Sequence, residues 1–170
     1  MCGISELADS LIAKAVKLAE ERNDTRYYAT FSKLHKLLYI AQGWMLSQHG
    51  IKMFRAGEIS ARACGPYIKV LDPYFWEFGE EPIQTLTREV LTFPQNVEDT
   101  LDAVLEALGQ ESWPTLSFAT RRHEVVRRVY KPEHDEIISE DALKAYFEKF
   151  VPTLEGIVPS VSALHASRSD

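Results

Sequence analysis

The chain has only two cysteines, Cys2 and Cys64, in 170 residues. They make no CxxC pair and no framework of bridges, so neither a disulfide scaffold nor a cysteine-based zinc module fits. Two unpaired thiols suit a reducing cytoplasm, the expected location. No apolar run approaches the roughly eighteen residues a membrane span needs. The opening MCGISELADS lacks a basic region followed by an apolar stretch, so no secretory signal is expected. Positive charge is scarce as well: 19 Lys and Arg face 25 Asp and Glu, a formal net charge of −6. A general nucleic-acid binder favours a basic surface for phosphate contacts, so nucleic acid is a disfavoured partner. Glycine-rich phosphate loops, internal repeats and heptad runs are missing too.

What remains is 45% apolar residues, enough for one domain with a real core. Residues 1–152 read as that domain. Residues 153–170 read as a tail, with 160–170 disordered.

The chain is organised around Thr30–Gly50. At 100° per residue, Phe31, Leu34, Leu37, Leu38, Ala41, Trp44 and Met45 form one apolar arc. Tyr39 and Leu46 share a second sector with His35 and Gln42, and Ile40 falls among Lys33, Lys36 and Ser47. A helix apolar over so much of its circumference is wrapped by other helices. Thr30 is placed to cap its start and Gly50 to end it. Gly43 permits close approach of a neighbour. Lys33, on the polar sector, is expected to tolerate truncation within about 0.5 kcal/mol.

The same stretch, Leu34-His35-Lys36-Leu37-Leu38-Tyr39-Ile40-Ala41-Gln42-Gly43-Trp44, resembles the signature of the Panacea domain, the SocA-like antitoxin family. Gly65-Pro66 after Glu58–Ala61, Leu116-Ser117 before Thr120, and Ile138-Ser139 before a helix ending near Phe147 keep the family's order. The similarity runs from about Ile4 to Phe150. The chain departs from the family near Arg62–Ala63, where a Trp is frequent, and at Thr120-Arg121 and Val125-Val126. The resemblance implies an antitoxin that binds a cognate bacterial or phage toxin directly, with no cofactor and no catalysis. A second reading is a proteolytic adaptor delivering the toxin to an ATP-dependent protease. An enzyme of unrecognised chemistry ranks third, and a nucleic-acid regulator fourth.

Other elements follow from periodicity and caps. Ser5 is the expected cap of a helix through Glu21, and Asn96 of one through Leu108. Ser112 caps Trp113–Thr120, and a further helical piece covers Glu124–Tyr130. Ser139 caps Glu140–Phe150, with Leu143, Tyr146, Phe147 and Phe150 facing inward. Asp72-Pro73 starts a short helix that Gly79 closes. Lys52–Cys64 suits a hairpin or edge strand, Gly65-Pro66 a turn, and Glu136–Ser139 a strand pairing with Glu58–Ala61. The fold class is mainly α, five to seven helices around the central one, with a small β element.

Catalytic and metal chemistry finds little support. Cys64 lacks a local nucleophile signature and reads as a buried small hydrophobe. His123, Glu124 and His134 match no metal-ligand spacing. His35 reads as a satisfied polar contact at a helix junction. Gln42 reads as a buried polar pin, with a pocket wall as the alternative.

The surface is more informative. Tyr67–Phe78 carries five aromatics in twelve residues, too many for short helical pieces to bury. Tyr67, Tyr74 and Trp76 are therefore candidate partner anchors. Glu77–Glu111 holds nine acidic residues against Arg88 alone, whereas Arg121–Lys131 holds five basic residues against Glu124. Mutual compensation of these two segments is the plain expectation. The sharper one is a guanidinium cluster of Arg121, Arg122, Arg127 and Arg128 facing a carboxylate or phosphate-binding partner.

Overall fold

Thr30 Oγ1 accepts from Lys33 N at 3.3 Å and starts the central helix, α2, Phe31–His49. Gly50 ends it in the left-handed conformation, φ 65°, which glycine adopts without steric cost. The computed structural model describes residues 2–55, 58–86 and 88–158. Every residue from Lys33 to Gly43 is buried. Helices α4 (Gln95–Leu108), α5 (Trp113–Thr120) and α7 (Glu140–Phe150) pack on α2. Helix α1 (Ile4–Arg22) lies against α4. Two short helices, α3 (Asp72–Phe75) and α6 (Glu124–Val129), complete the mainly helical fold.

Three strands form a small antiparallel sheet in the order β2–β1–β3: β1 Ser60–Arg62, β2 Gly65–Tyr67 and β3 Glu136–Ile137. Ser60 pairs with Ile137, and Ile138 N donates to Ile59 O at 2.9 Å, so the expected long-range strand pairing is present. The hairpin turn is displaced from its expected place. Ala63-Cys64 forms it, and Gly65-Pro66 lies in β2 instead. Proline fits there because β2 is an edge strand, and Gly65 supplies a φ of 104°.

Local capping differs in three places. Helix α1 begins at Ile4 with no side-chain cap, and the Ser5 hydroxyl donates to Glu6 instead. Helix α4 begins at Gln95. Asn96, the expected cap, lies inside the first turn and accepts from Val97 N at 3.0 Å; no side chain caps the helix start, and Glu98 reaches back to accept from Phe93 N at 2.9 Å. Asp72 sits inside α3 rather than before it. Ser112 and Ser139 cap α5 and α7 as expected.

In α7, Leu143 and Phe147 enter the core, but Phe150 is 50% exposed. The helix ends there, so its last turn overhangs the core instead of facing it. Leu154 and Ile157 return to the core, which therefore includes the first part of the expected tail. Ser160–Asp170 lies outside the described residues.

Candidate interaction surface

The lysines of α2 are anchors, not solvent-facing groups. Lys33 is 3% exposed, and its ammonium donates to the carbonyls of Arg26 (2.9 Å), Tyr28 (3.3 Å) and Gly109 (2.6 Å). Burial pulls its pKa down to about 8. Lys36 is buried one turn later, with Nζ 3.1 Å from Pro66 O and 3.8 Å from Cys64 Sγ. Burial lowers this ammonium too. Along Lys33–Gly43 the helix is packed on all sides, and backbone carbonyls of the surrounding turns and of the edge strand β2 accept from the amines. Near-complete apolar wrapping was the available signal. Cys64, expected to be buried, is exposed in the hairpin turn.

Between these two lysines, His35 Nδ1 accepts from Ile68 N at 2.9 Å, which leaves its proton on Nε2. Its ring stacks on Tyr67 with centroids 4.1 Å apart. The other face of Tyr67 carries the Arg62 guanidinium at 3.6 Å, completing a three-layer stack. Arg62 is fixed by a bidentate pair with Asp135 at 2.7 and 2.9 Å, and Tyr67 OH donates to Asp72 at 2.7 Å. Burial, with the Lys36 and Arg62 charges, pushes His35 down to about 3. Burial and the Asp72 carboxylate raise Tyr67 to about 12.

Phe31 meets this stack edge-on and braces Trp76 as well, with ring centroids 6.4 Å apart in each case. Trp76 is 70% exposed. Tyr74 is exposed beside it in sequence, with the Arg88 guanidinium 4.3 Å over its ring. Tyr67, by contrast, is half-buried with both faces covered, so it braces the surface rather than presenting a face.

The expected guanidinium cluster is distributed over two sites. Arg121 and Arg122 lie in the turn after α5, both exposed, with guanidinium carbons 5.3 and 5.0 Å from the Phe118 ring. The hairpin reaches them: a Cβ on Gly65 would lie 3.0 Å from Thr120 Oγ1 and 3.4 Å from Arg121 N. Arg127 and Arg128 lie on α6, where Arg128 pairs with Glu124 at 2.5 Å.

Charge compensation follows a different route from the expected one. The acids of α4 pair with α1, through Lys14 to Glu98 (2.8 Å) and Asp102 (2.7 Å), and Arg22 to Glu106 (2.6 Å). Arg88 reaches the buried carboxylate of Asp9 at 2.9 Å. Among the described residues, Arg121, Arg122 and Arg127 have no ion-pair partner.

Two polar residues of α2 complete the picture. Gln42 donates to Phe54 O (3.1 Å) and accepts from Met53 N (2.8 Å), so it pins the following turn to the helix. Tyr39 OH bonds His123 Nδ1 at 2.9 Å, and burial lowers His123 to about 4. Among the described residues, no three His, Cys, Asp or Glu side chains converge, and no helix is long and apolar enough to cross a membrane. No protein-family model matches the chain, and no curated protein or solved structure is significantly similar to it.

Proposed function

We propose that this chain is a cytoplasmic antitoxin that neutralises a cognate bacterial or phage toxin by direct protein contact, without chemistry of its own. The observation that carries the reading is Trp76, an indole 70% open to water yet braced on the buried Phe31. A large aromatic with only two side-chain torsions gives contact area at low entropic cost, which is the character of a binding hot spot. Tyr74, exposed two residues earlier in the chain, is a second candidate anchor, and Phe31 links Trp76 to the Tyr67 stack. Arg121 and Arg122, held on Phe118 and free of acidic partners among the described residues, would direct an acidic toxin face onto the surface. The resemblance of the α2 sequence to the Panacea signature supports the same reading.

The test is co-expression with the neighbouring gene of the native operon. A toxic neighbour, restored growth and a co-purifying complex are expected. A native-host pull-down that returns no co-encoded toxin overturns the reading. Rescue that disappears in a host lacking ATP-dependent proteases, while the complex persists, replaces blocking with adaptor delivery.

A further inference from the structure

We infer that Lys36 and Cys64 are a peroxide-responsive pair, in which oxidation of the exposed thiol ends in a covalent sulfur–nitrogen bridge between the hairpin turn and α2. The inference is independent of the antitoxin reading, since the reaction modifies only this chain. Lys36 Nζ lies 3.8 Å from Cys64 Sγ, in an N–H···S contact between residues 28 apart in sequence. The two ends of that contact differ in access. Lys36 is 1% exposed, whereas Cys64 is exposed in the turn. Cys64 also lines an open hollow of about 480 Å³, through which a small oxidant reaches it.

The surroundings of the lysine single it out. An ammonium carries three donors, and Lys33 uses its own on three carbonyls. Lys36 has one carbonyl, that of Pro66 at 3.1 Å, and the thiol. Among the described residues, no carboxylate pairs with it. A buried cation without a counter-charge is costly, which favours the neutral amine. Burial accordingly lowers the Lys36 pKa; Cys64 and Glu80 oppose that shift, and Arg62 adds to it. The amine is thus a nucleophile held beside the sulfur. Lys131, which lines the same hollow, is instead paired with Glu136 at 3.4 Å.

The chemistry balances in two steps. The Cys64 thiolate attacks hydrogen peroxide: an S–O bond forms, the O–O bond breaks, and hydroxide leaves to be protonated to water. Sulfur is oxidised to the sulfenic acid and the peroxide is reduced. The lone pair of the Lys36 amine then attacks that sulfur. An S–N bond forms, the S–O bond breaks, and the departing hydroxide takes a proton from nitrogen and leaves as water. The product is a sulfenamide, the kind of bond a backbone nitrogen forms with a sulfenic acid. A free thiol reverses it by attacking sulfur, which releases the amine and leaves a mixed disulfide for a second thiol to reduce. While it lasts, the bridge closes the chain from Lys36 to Cys64 and fixes the turn next to Gly65, which abuts Arg121.

Hydrogen peroxide treatment of the full chain, followed by intact mass and peptide mapping, tests this. A chain lighter by two hydrogens is expected, with the Lys36 and Cys64 peptides joined, and dithiothreitol should separate them. The oxidised chain should also unfold at higher urea than the reduced one. Cys64→Ser, at an exposed position, should abolish the link and leave the urea melt of the reduced protein unchanged. Lys36→Arg keeps a cation but offers no condensing amine, so it should stop at a sulfenic acid that dimedone traps. The parent chain treated in guanidinium should form no link, because the contact belongs to the fold. The peptide map of the parent decides even where a variant fails to fold. A folded parent that stops at sulfenic or sulfinic acid overturns the inference. So does a link from Cys64 to Lys131, His134, Cys2 or a second chain, and so does equal linking in denaturant.

Discussion

The Phe147 ring of α7 lies directly against the Cα of Gly43 in α2. A Cβ built on Gly43 would stand 2.4 Å from Phe147 Cε2, well inside contact distance. Phe147 is fully buried and also packs edge-on against Tyr39, so the ring has nowhere to retreat. The glycine is thus what lets the most extensively packed helix pair of the fold close. Gly43→Ala should destabilise by about 1–3 kcal/mol through overpacking, despite the better helix propensity of alanine. Urea melts would measure it. Adding Phe147→Leu should recover part of the loss, because the two changes act on one contact.

Lys33 gives the next expectation, which reverses the one drawn from its helical sector. Removing its amine leaves three carbonyls, those of Arg26, Tyr28 and Gly109, without their donor in a closed site. Lys33→Met keeps most of the volume and should still cost about 2–4 kcal/mol. Lys17→Ala, on the solvent face of α1, should stay within about 0.5 kcal/mol. Equal small losses in urea would show that the buried ammonium contributes nothing to the fold.

The Arg88–Asp9 pair makes a third. Asp9 has 5% of its side chain exposed, while Arg88 is one-third open to water. Arg88→Ala strands the carboxylate, at a cost of roughly 2–3 kcal/mol, below the range for a fully enclosed pair. Burial already raises the Asp9 pKa from its ordinary value, and loss of the guanidinium raises it further. The folded variant then holds its proton more tightly than the unfolded chain. Its deficit against the parent should therefore shrink as pH falls into the range where carboxylates titrate. Replacing both residues with Leu should recover most of the loss.

Acid sensitivity follows from two buried histidines. His35 is held at about 3 and His123 at about 4, both below the ordinary value near 6.5. Between those values the unfolded chain binds protons that the folded chain refuses. Stability is therefore intact above pH 6.5 and falls as pH drops towards 4, at up to about 1.4 kcal/mol per pH unit for each histidine. Denaturant melts between pH 7 and 5 read this before most carboxylates titrate. His123→Gln should lower the slope by one proton, and a flat profile in the parent would mean that the rings are not buried neutral.

Those residues also show what could be read from sequence. Helix α2 was legible because capping by Thr30, termination by Gly50 and a broad apolar arc all agree. The partnership of Gly43 with a neighbouring helix, the caps Ser112 and Ser139, and the pairing of Glu136–Ser139 with Glu58–Ala61 were legible for similar local reasons. The fate of Lys33 and Lys36 was not. A lysine in a helix reads as solvent-facing until the loops that supply its carbonyl acceptors are placed. Charge partners were also hidden: Glu106 pairs with Arg22, 84 residues away, rather than with the nearer Arg121–Lys131 run. At the surface, the aromatic excess marked Trp76 and Tyr74, but nothing local announced that Tyr67 would be enclosed between His35 and Arg62. The hairpin was missed by two residues because Gly65-Pro66 looks like a turn. Only the third strand and the Pro66 carbonyl's contact with Lys36 make it an edge strand.

The functional prediction separates contact from support within one aromatic patch. Trp76 is mostly solvated and touches Phe31 at its edge, so Trp76→Ala should change stability by no more than about 1 kcal/mol. Tyr67→Ala removes the middle layer of the His35–Tyr67–Arg62 stack and should destabilise by roughly 3 kcal/mol. Binding should respond differently. Trp76→Ala is expected to weaken the complex with the co-encoded toxin by about 2 kcal/mol or more, some thirtyfold, and to abolish growth rescue. R121E/R122E should slow association chiefly at low salt, since screening suppresses that attraction as ionic strength rises. Tyr67→Phe, which keeps the stack but loses the bond to Asp72, should bind almost normally. Isothermal titration and urea melts on the same four proteins supply both axes. A folded Trp76→Ala that binds and rescues like the parent would remove the patch from the interface, whatever the fate of the toxin partner.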